Sequence, residues 1–425
     1  MPLVSDYLAA RLLAIGPSSI VPVGPIIPGL LELDELGLLL GATVGVLTLL
    51  LVLCSPATGQ AGRYTVLSIF FLLVALATLS AANVIVFYVG WELAALFAWG
   101  LGQLAGDADG ESAAPFNAAG ALASLLMFGG LLLLATESRT TSLAGLKLAE
   151  GGLVTLLVLG AIFLKAFGVL SEMSQPTTPG QFSLASAALA GASLLIVGFY
   201  PVLRLLGPAS ARSPEWQEPA VALAGGLAIL AALAALGQQD LRRALSYGAL
   251  SQFSAFAFAL AAGPQQATLG ALYGAVAYAL AATGLLLCAA LVEAATGQRD
   301  LQRIGGVAQR LPAVAVLFVV CVVAMAGLPP FGGFVASGLV GLALWQQAGP
   351  AEAVTWLALS LLTVLYLVRL FARVFLGELR GPVKADAHWT VLAAVTAIAA
   401  GLALAGVAPD QVMALVRPAF ALLTG

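Results

Sequence analysis

Charge is the scarcest commodity in this chain. Only 9% of its 425 residues are Asp, Glu, Lys or Arg, against about 25% in soluble domains, while 61% are hydrophobic and the mean hydropathy is +1.05. A surface so poor in charge faces lipid, which excludes an ordinary soluble domain. Seventeen Lys and Arg stand against 20 Asp and Glu, a net charge of -3, so there is no basic field to hold nucleic acid and that class of partner is excluded. Histidine occurs once, as His388, with no ligand-type neighbour at metal spacing, and the three cysteines, Cys54, Cys288 and Cys321, lie far apart inside apolar runs. These scarcities speak against a disulfide framework, a zinc site, an iron–sulfur cluster or a haem histidine pair. Glycine and proline are not scarce, at 47 and 21 residues, a content that suits transmembrane helices in close approach.

A helix needs about 20 mostly apolar residues to cross the hydrocarbon. About twelve such runs can be marked off between polar, Pro or Gly punctuation. Their approximate limits are 37–54, 66–83, 85–104, 117–136, 152–171, 182–206, 219–236, 247–262, 268–293, 313–340, 352–376 and 389–407. The expected fold is an all-α polytopic membrane protein. Within 313–340 the stretch Gly327-Leu328-Pro329-Pro330, followed by Gly332-Gly333, predicts a broken helix, because proline removes a donor and clashes with the preceding turn. Broken helices at membrane depth persist where they are buried in protein or line a wet cavity; a plain kink is the other reading. Residues 1–36, interrupted by Pro17, Pro22, Pro25 and Pro28, are expected to lie along the outer membrane surface, and 411–424 to form a terminal interfacial or packed helix. The chain thus divides into an N-terminal segment (1–36), two helical regions (37–206 and 207–376) and C-terminal helices (377–425). With the 237–246 loop inside, ten Lys and Arg fall on the inner side and six on the outer, with Lys165 in the core and both termini outside.

Two ionisable residues lie deep in apolar runs: Glu92 in Val89-Gly90-Trp91-Glu92-Leu93, and Lys165 in Ile162-Phe163-Leu164-Lys165-Ala166-Phe167. A charge there costs several kcal/mol unless paired or hydrated. Facing each other, the two form either a proton-loading site, since each sets the other's proton affinity, or a structural ion pair that orients two helices. Asp34, Glu35, Glu293, Arg204 and Arg373 at helix ends are read as side chains that snorkel to the interface. Tyr247, Ser251 and Gln252 repeat on one helical face, where they hydrate a proton path or tie helices together.

Several stretches, in order, resemble the antiporter-like subunits of respiratory complex I, which also occur in Mrp-type cation/proton antiporters and membrane-bound hydrogenases. Asp34-Glu35-Leu36-Gly37 resembles the segment that opens a helix in that family, Trp91-Glu92-Leu93 its Trp-Glu-Leu helix, Gly120-Ala121-Leu122-Ala123-Ser124 the next helix, and Lys165-Ala166 the lysine helix after it. Asp240-Leu241-Arg242-Arg243-Ala244-Leu245-Ser246-Tyr247 with Ser251-Gln252 is similar to a further family stretch, Gly327-Leu328-Pro329-Pro330-Phe331-Gly332-Gly333-Phe334 to its helix break, and Tyr366 and Arg369 to its penultimate helix.

The resemblance implies two inverted repeats, each with a broken helix, in a chain that is short of the family's first two helices. It also implies a membrane-arm subunit of a complex I-like energy-converting assembly, carrying protons or small cations. Such a chain has no redox cofactor of its own, lies in a prokaryotic inner membrane, and has lipid and other membrane subunits as partners. The non-redox subunit of a proton-translocating NADH:quinone-type oxidoreductase is the enzyme context. Family lysines and a histidine align with Ile196, Ala277, Ala281 and Ser337, and the first helix break is shortened or absent where Phe167-Gly168-Val169-Leu170-Ser171 runs to Pro176-Thr177-Thr178-Pro179. Only the first half of the charge chain is kept, so full independent pumping is doubtful and a partly structural role is implied. The other functions carried forward are a stand-alone secondary transporter and the membrane subunit of an inorganic-carbon uptake complex.

Overall fold

Apolar length sets the helices, and the polar residues within them set which helices are central. The computed structural model describes residues 24–58, 60–103, 118–146, 152–173, 191–206, 214–263, 265–384 and 387–424. The helices are α1 (Glu35–Cys54), α2 (Ala61–Leu79), α3 (Val84–Gln103), α4 (Ala118–Ser138), α5 (Gly152–Met173), α6 (Gly191–Leu205), α7 (Pro214–Gly237), α8 (Leu241–Ala261), α9 (Gln265–Thr296), α10 (Pro312–Met325), α11 (Gly332–Ala343), α12 (Pro350–Phe375), α13 (Trp389–Val407) and α14 (Pro409–Thr424). Among the described residues nine helices are long and apolar enough to span a membrane, and α5, α6 and α10 contain shorter apolar stretches. The chain is an integral, multi-pass membrane protein.

The least apolar span is the most deeply buried. α8 has a mean hydropathy of 1.3, with Ser246, Ser251, Gln252 and Ser254 along it, and 94% of its membrane window is buried; α9 follows at 89%, whereas α2, α4 and α12 are each 33% buried. Lipid offers hydroxyls and amides no partner, so a helix that carries them is driven to the protein interior. Peripheral helices instead show one apolar stripe outward: on α12, Val354, Leu357, Leu361, Leu365 and Val368 are exposed at helical spacing while Leu359, Thr363, Tyr366 and Leu370 are buried.

The break expected at Gly327-Leu328-Pro329-Pro330 separates α10 from α11. Gly327 has φ +69°, in the left-handed region that glycine reaches without a side-chain clash. At Gly333 any Cβ would run into the Ala324 carbonyl, so only glycine lets the start of α11 press against the end of α10. The run 182–206 is described from Gly191, as a helix with π-helical turns at Leu195–Phe199 and Val202–Leu206; residues 174–190, where the shortened first break was expected, and residues 1–23 lie outside the described residues. The rest of the N-terminal segment adds a feature to the all-α expectation: Gly24–Ile27 (β1) and Leu31–Leu33 (β2) form an antiparallel hairpin tied to the α2–α3 turn by Glu32 N–Ser80 O and Ala82 N–Leu30 O bonds.

Candidate functional site: a lysine–carboxylate pair between three helices

Consecutive residues on a helix point about 100° apart, and α3 uses that angle to face two ways. Trp91 is fully buried and its Nε1–H donates to the Val197 carbonyl of α6 at 2.9 Å. Glu92 turns toward α4 and α5. Lys165, midway along α5 and with a side chain only 2% exposed, places its Nζ 2.7 Å from Glu92 Oε2 and 2.8 Å from Ser124 Oγ on α4. The Ser124 hydroxyl reaches Glu92 Oε2 at 3.0 Å and the Gly120 carbonyl at 2.9 Å, and its single proton serves one of them at a time. The Trp91 ring lies 4.8 Å from Lys165 Nζ, within cation–π range. Sequence reading singled out Glu92 and Lys165; Ser124 it used only as a marker of the next helix. The signal available was a serine on the helix between the two, within a run of small residues.

This geometry is chemically versatile. An ammonium in an apolar interior is tolerated because a carboxylate and a hydroxyl replace its water. Glu92 Oε1 is shielded and has no hydrogen-bond partner among the described residues, so the carboxylate keeps one oxygen available to accept a proton. Ser124 stands within hydrogen-bond reach of both charged groups.

The Tyr247, Ser251 and Gln252 face does not converge on that site. Ser251 donates to the Ala228 carbonyl of α7 at 2.8 Å, Gln252 Nε2 donates to Thr363 Oγ1 of α12 at 2.6 Å, and the Tyr247 ring packs on Phe167 at 6.2 Å. Each tie joins α8 to a different neighbour. From beside Lys165 a run of rings, Phe163–Phe253–Phe199–Phe256–Tyr278, with successive centroids 4.8 to 6.4 Å apart, leads to the helix break. At the break end of that run Tyr278 OH and Ser337 Oγ are 2.8 Å apart, and Ile196, Ala277 and Ala281 are buried apolar residues.

Three of the helix-end charges read as snorkelling are members of ion pairs, Asp34 and Arg204 half-buried and Glu293 buried. Asp34 caps α1 by accepting from Gly37 N at 2.7 Å and pairs with Arg204 of α6. Glu293 of α9, 6% exposed, meets Arg242 of α8 at 2.7 Å, with Arg299 at 3.8 Å. A charge at a helix end reads as interfacial when its partner lies far along the chain.

A bundle of apolar helices with a break at membrane depth and a buried lysine–carboxylate pair belongs to the class of polytopic membrane proteins built around internal charges. The chain is a member of the NADH:quinone oxidoreductase/Mrp antiporter transmembrane family, whose profile matches residues 81–365. It is 27% identical to NADH-quinone oxidoreductase subunit N of Deinococcus radiodurans over 395 residues, 89% of this chain and 80% of that one. It is also 28% identical to a Na(+)/H(+) antiporter subunit of Alkalihalophilus pseudofirmus over 265 residues, which are 60% of this chain and 54% of that relative, so the match spans about half of the antiporter protein's length. Its fold is shared with a chain of respiratory complex I from Thermus thermophilus (TM-score 0.77, 24% identity, 99% of this chain and 93% of that chain). A chain of the Mrp complex from Dietzia sp. DQ12-45-1b has the same fold (TM-score 0.82, 19% identity, 98% and 90%).

Proposed function

We propose that the chain is an ion-translocating membrane-arm subunit of a multisubunit energy-converting assembly, and that Lys165 and Glu92 form its proton-loading pair. The observation that carries this reading is the buried contact of Lys165 Nζ with Glu92 Oε2 at 2.7 Å, with Ser124 Oγ against both. While Glu92 is ionised it holds Lys165 as an ammonium. A proton arriving on Glu92 removes that counter-charge, and an ammonium left alone among apolar side chains releases its proton. The chain moves protons rather than electrons, and carries no redox group of its own. Its neighbours are other membrane subunits, in keeping with the assemblies named for its relatives and fold neighbours. The membrane is a prokaryotic inner membrane, and both termini face outward, a sidedness supported by the inner-end cluster of Arg242, Arg243, Arg299 and Arg303. The ionisable path is confined to the first half, since Ile196, Ala277, Ala281 and Ser337 cannot carry a proton as lysine or histidine would. In the second half the subunit is structural or water-conducting.

The test is the intact assembly in liposomes, with Lys165→Met and Glu92→Gln. Protons moved per electron are expected to fall while electron transfer stays measurable. A ratio unchanged in both variants would overturn the proton-loading role.

A further inference from the structure

Toward its carboxyl end, α6 carries three ties about one turn apart. The Val197 carbonyl accepts from Trp91 Nε1–H at 2.9 Å, Tyr200 OH donates to the Leu79 carbonyl at 3.3 Å, and Arg204 pairs with Asp34. The first tie touches the charged site, since the Trp91 ring lies 4.8 Å from Lys165 Nζ. The second packs on α3 through the Phe87 ring, 5.9 Å from that of Tyr200. Trp91, Phe87 and Tyr200 are fully buried, whereas the Asp34 and Arg204 side chains are 18% and 16% exposed. A run of contacts therefore leads from Lys165 to the face on which α1 begins and α6 ends, and the ion pair stands at its end.

α12 repeats this pattern without the carboxylate. Tyr366 OH donates to the Gly248 carbonyl at 3.4 Å, and about one turn on Arg369 Nη2 donates to the Gln238 carbonyl at 3.0 Å. Anchoring a helix end through an arginine thus needs no acid. At Arg204 the acid is present and fully engaged: Asp34 Oδ1 accepts from Gly37 N at 2.7 Å, and Oδ2 meets the guanidinium. A guanidinium keeps its proton in proteins and cannot pass one on. Placed beside a path, it excludes protons and other cations by its charge.

We propose that Arg204, held in place by Asp34, is a charge barrier that keeps the Lys165–Glu92 site from exchanging protons freely with the face on which α6 ends. The barrier rests on the proton-loading reading, but the two fail separately: loading is read as protons moved per electron, the barrier as proton leak at rest. Its two members act with opposite sign. Without Arg204, Asp34 is an unpaired carboxylate that draws cations to the path; without Asp34, the positive charge is uncancelled and bars them more strongly. A tie that serves packing alone responds to both losses in the same direction.

The test is passive proton entry into liposomes that hold the intact assembly with no electron donor, driven by a potassium–valinomycin potential and read with an internal pH dye. Arg204→Gln is expected to raise the leak by about tenfold or more, the scale on which one unit charge acts across about 10 Å at an effective dielectric of about 20. Asp34→Asn, which keeps the α1 cap, and Arg204→Lys, which keeps the charge, should leak no more than wild type. Adding Lys165→Met to Arg204→Gln should remove the leak. An unchanged leak in Arg204→Gln, a raised leak in Asp34→Asn or Arg204→Lys, or a leak that Lys165→Met does not reduce would overturn the proposal. If Arg204→Gln does not assemble, Asp34→Asn decides alone: a leak at or below the wild-type level supports the barrier, and a raised one overturns it.

Discussion

The surroundings of Lys165 and those of the helix break handle polarity in opposite ways. Around α3, α4 and α5 a lysine and a glutamate are buried together and bridged by one serine. Beside the helix break, where α8, α9, α11 and α12 meet, the polar side chains are hydroxyls and one amide, tied to each other and to backbone carbonyls. A chain of ring contacts from Phe163 to Tyr278 runs from one to the other. A helix break therefore reveals a bend and not a chemistry. Gly327, Pro329 and Pro330 preserve the bend, but the side chains that line the pocket beside it include the neutral Ser337, Tyr278 and Thr363.

Unpairing the charges of the first half should do the most damage. Glu92→Ala leaves an ammonium without its counter-charge and should destabilise the protein by about 3–5 kcal/mol in detergent unfolding, whereas Glu92→Gln combined with Lys165→Met should recover most of that loss. If the double variant is no more stable than the single one, the pair is not a coupled unit. Next, Ser337→Lys would place a charge in a lining beside the break that holds no carboxylate, at a cost of about 2.5–3.5 kcal/mol. Unaltered unfolding would mean that the region beside the break accepts charge as readily as the surroundings of Lys165, and the contrast would fail. Thr363→Val leaves the Gln252 amide without its acceptor and should cost about 1–3 kcal/mol. Mildest of the four is Ser251→Ala, which removes one interhelical bond to Ala228 at about 0.6 kcal/mol, near the average for such bonds in a membrane protein.

Much of this was legible in the sequence, for a physical reason that also sets its limit. Apolar length and punctuation mark out spans, and Glu92 and Lys165 are conspicuous because lipid-depth charge is rare. Pro329 and Pro330 announce the break through local sterics alone. Pairings are another matter. The Asp34–Arg204 and Arg242–Glu293 partners are brought together by helix packing, and nothing local to either residue distinguishes a paired charge from a snorkelling one. Ser124 was hidden in the same way, since a serine among small residues is ordinary helix-packing material until a lysine from α5 and a glutamate from α3 meet at it. The β1–β2 hairpin was obscured by Pro25 and Pro28, which read as interruptions of an apolar stretch rather than as parts of a short edge-exposed ribbon.

If Glu92 and Lys165 load a proton, that proton resides on each of them in turn, and the carboxyl group is the one that can be watched. Infrared difference spectroscopy of the intact assembly during turnover reads it directly. The expected result is a protonated-carboxyl band that disappears in Glu92→Gln and changes position in Lys165→Met. A difference spectrum left unaltered by both substitutions would show that Glu92 stays ionised throughout and that the pair is a structural tie between helices.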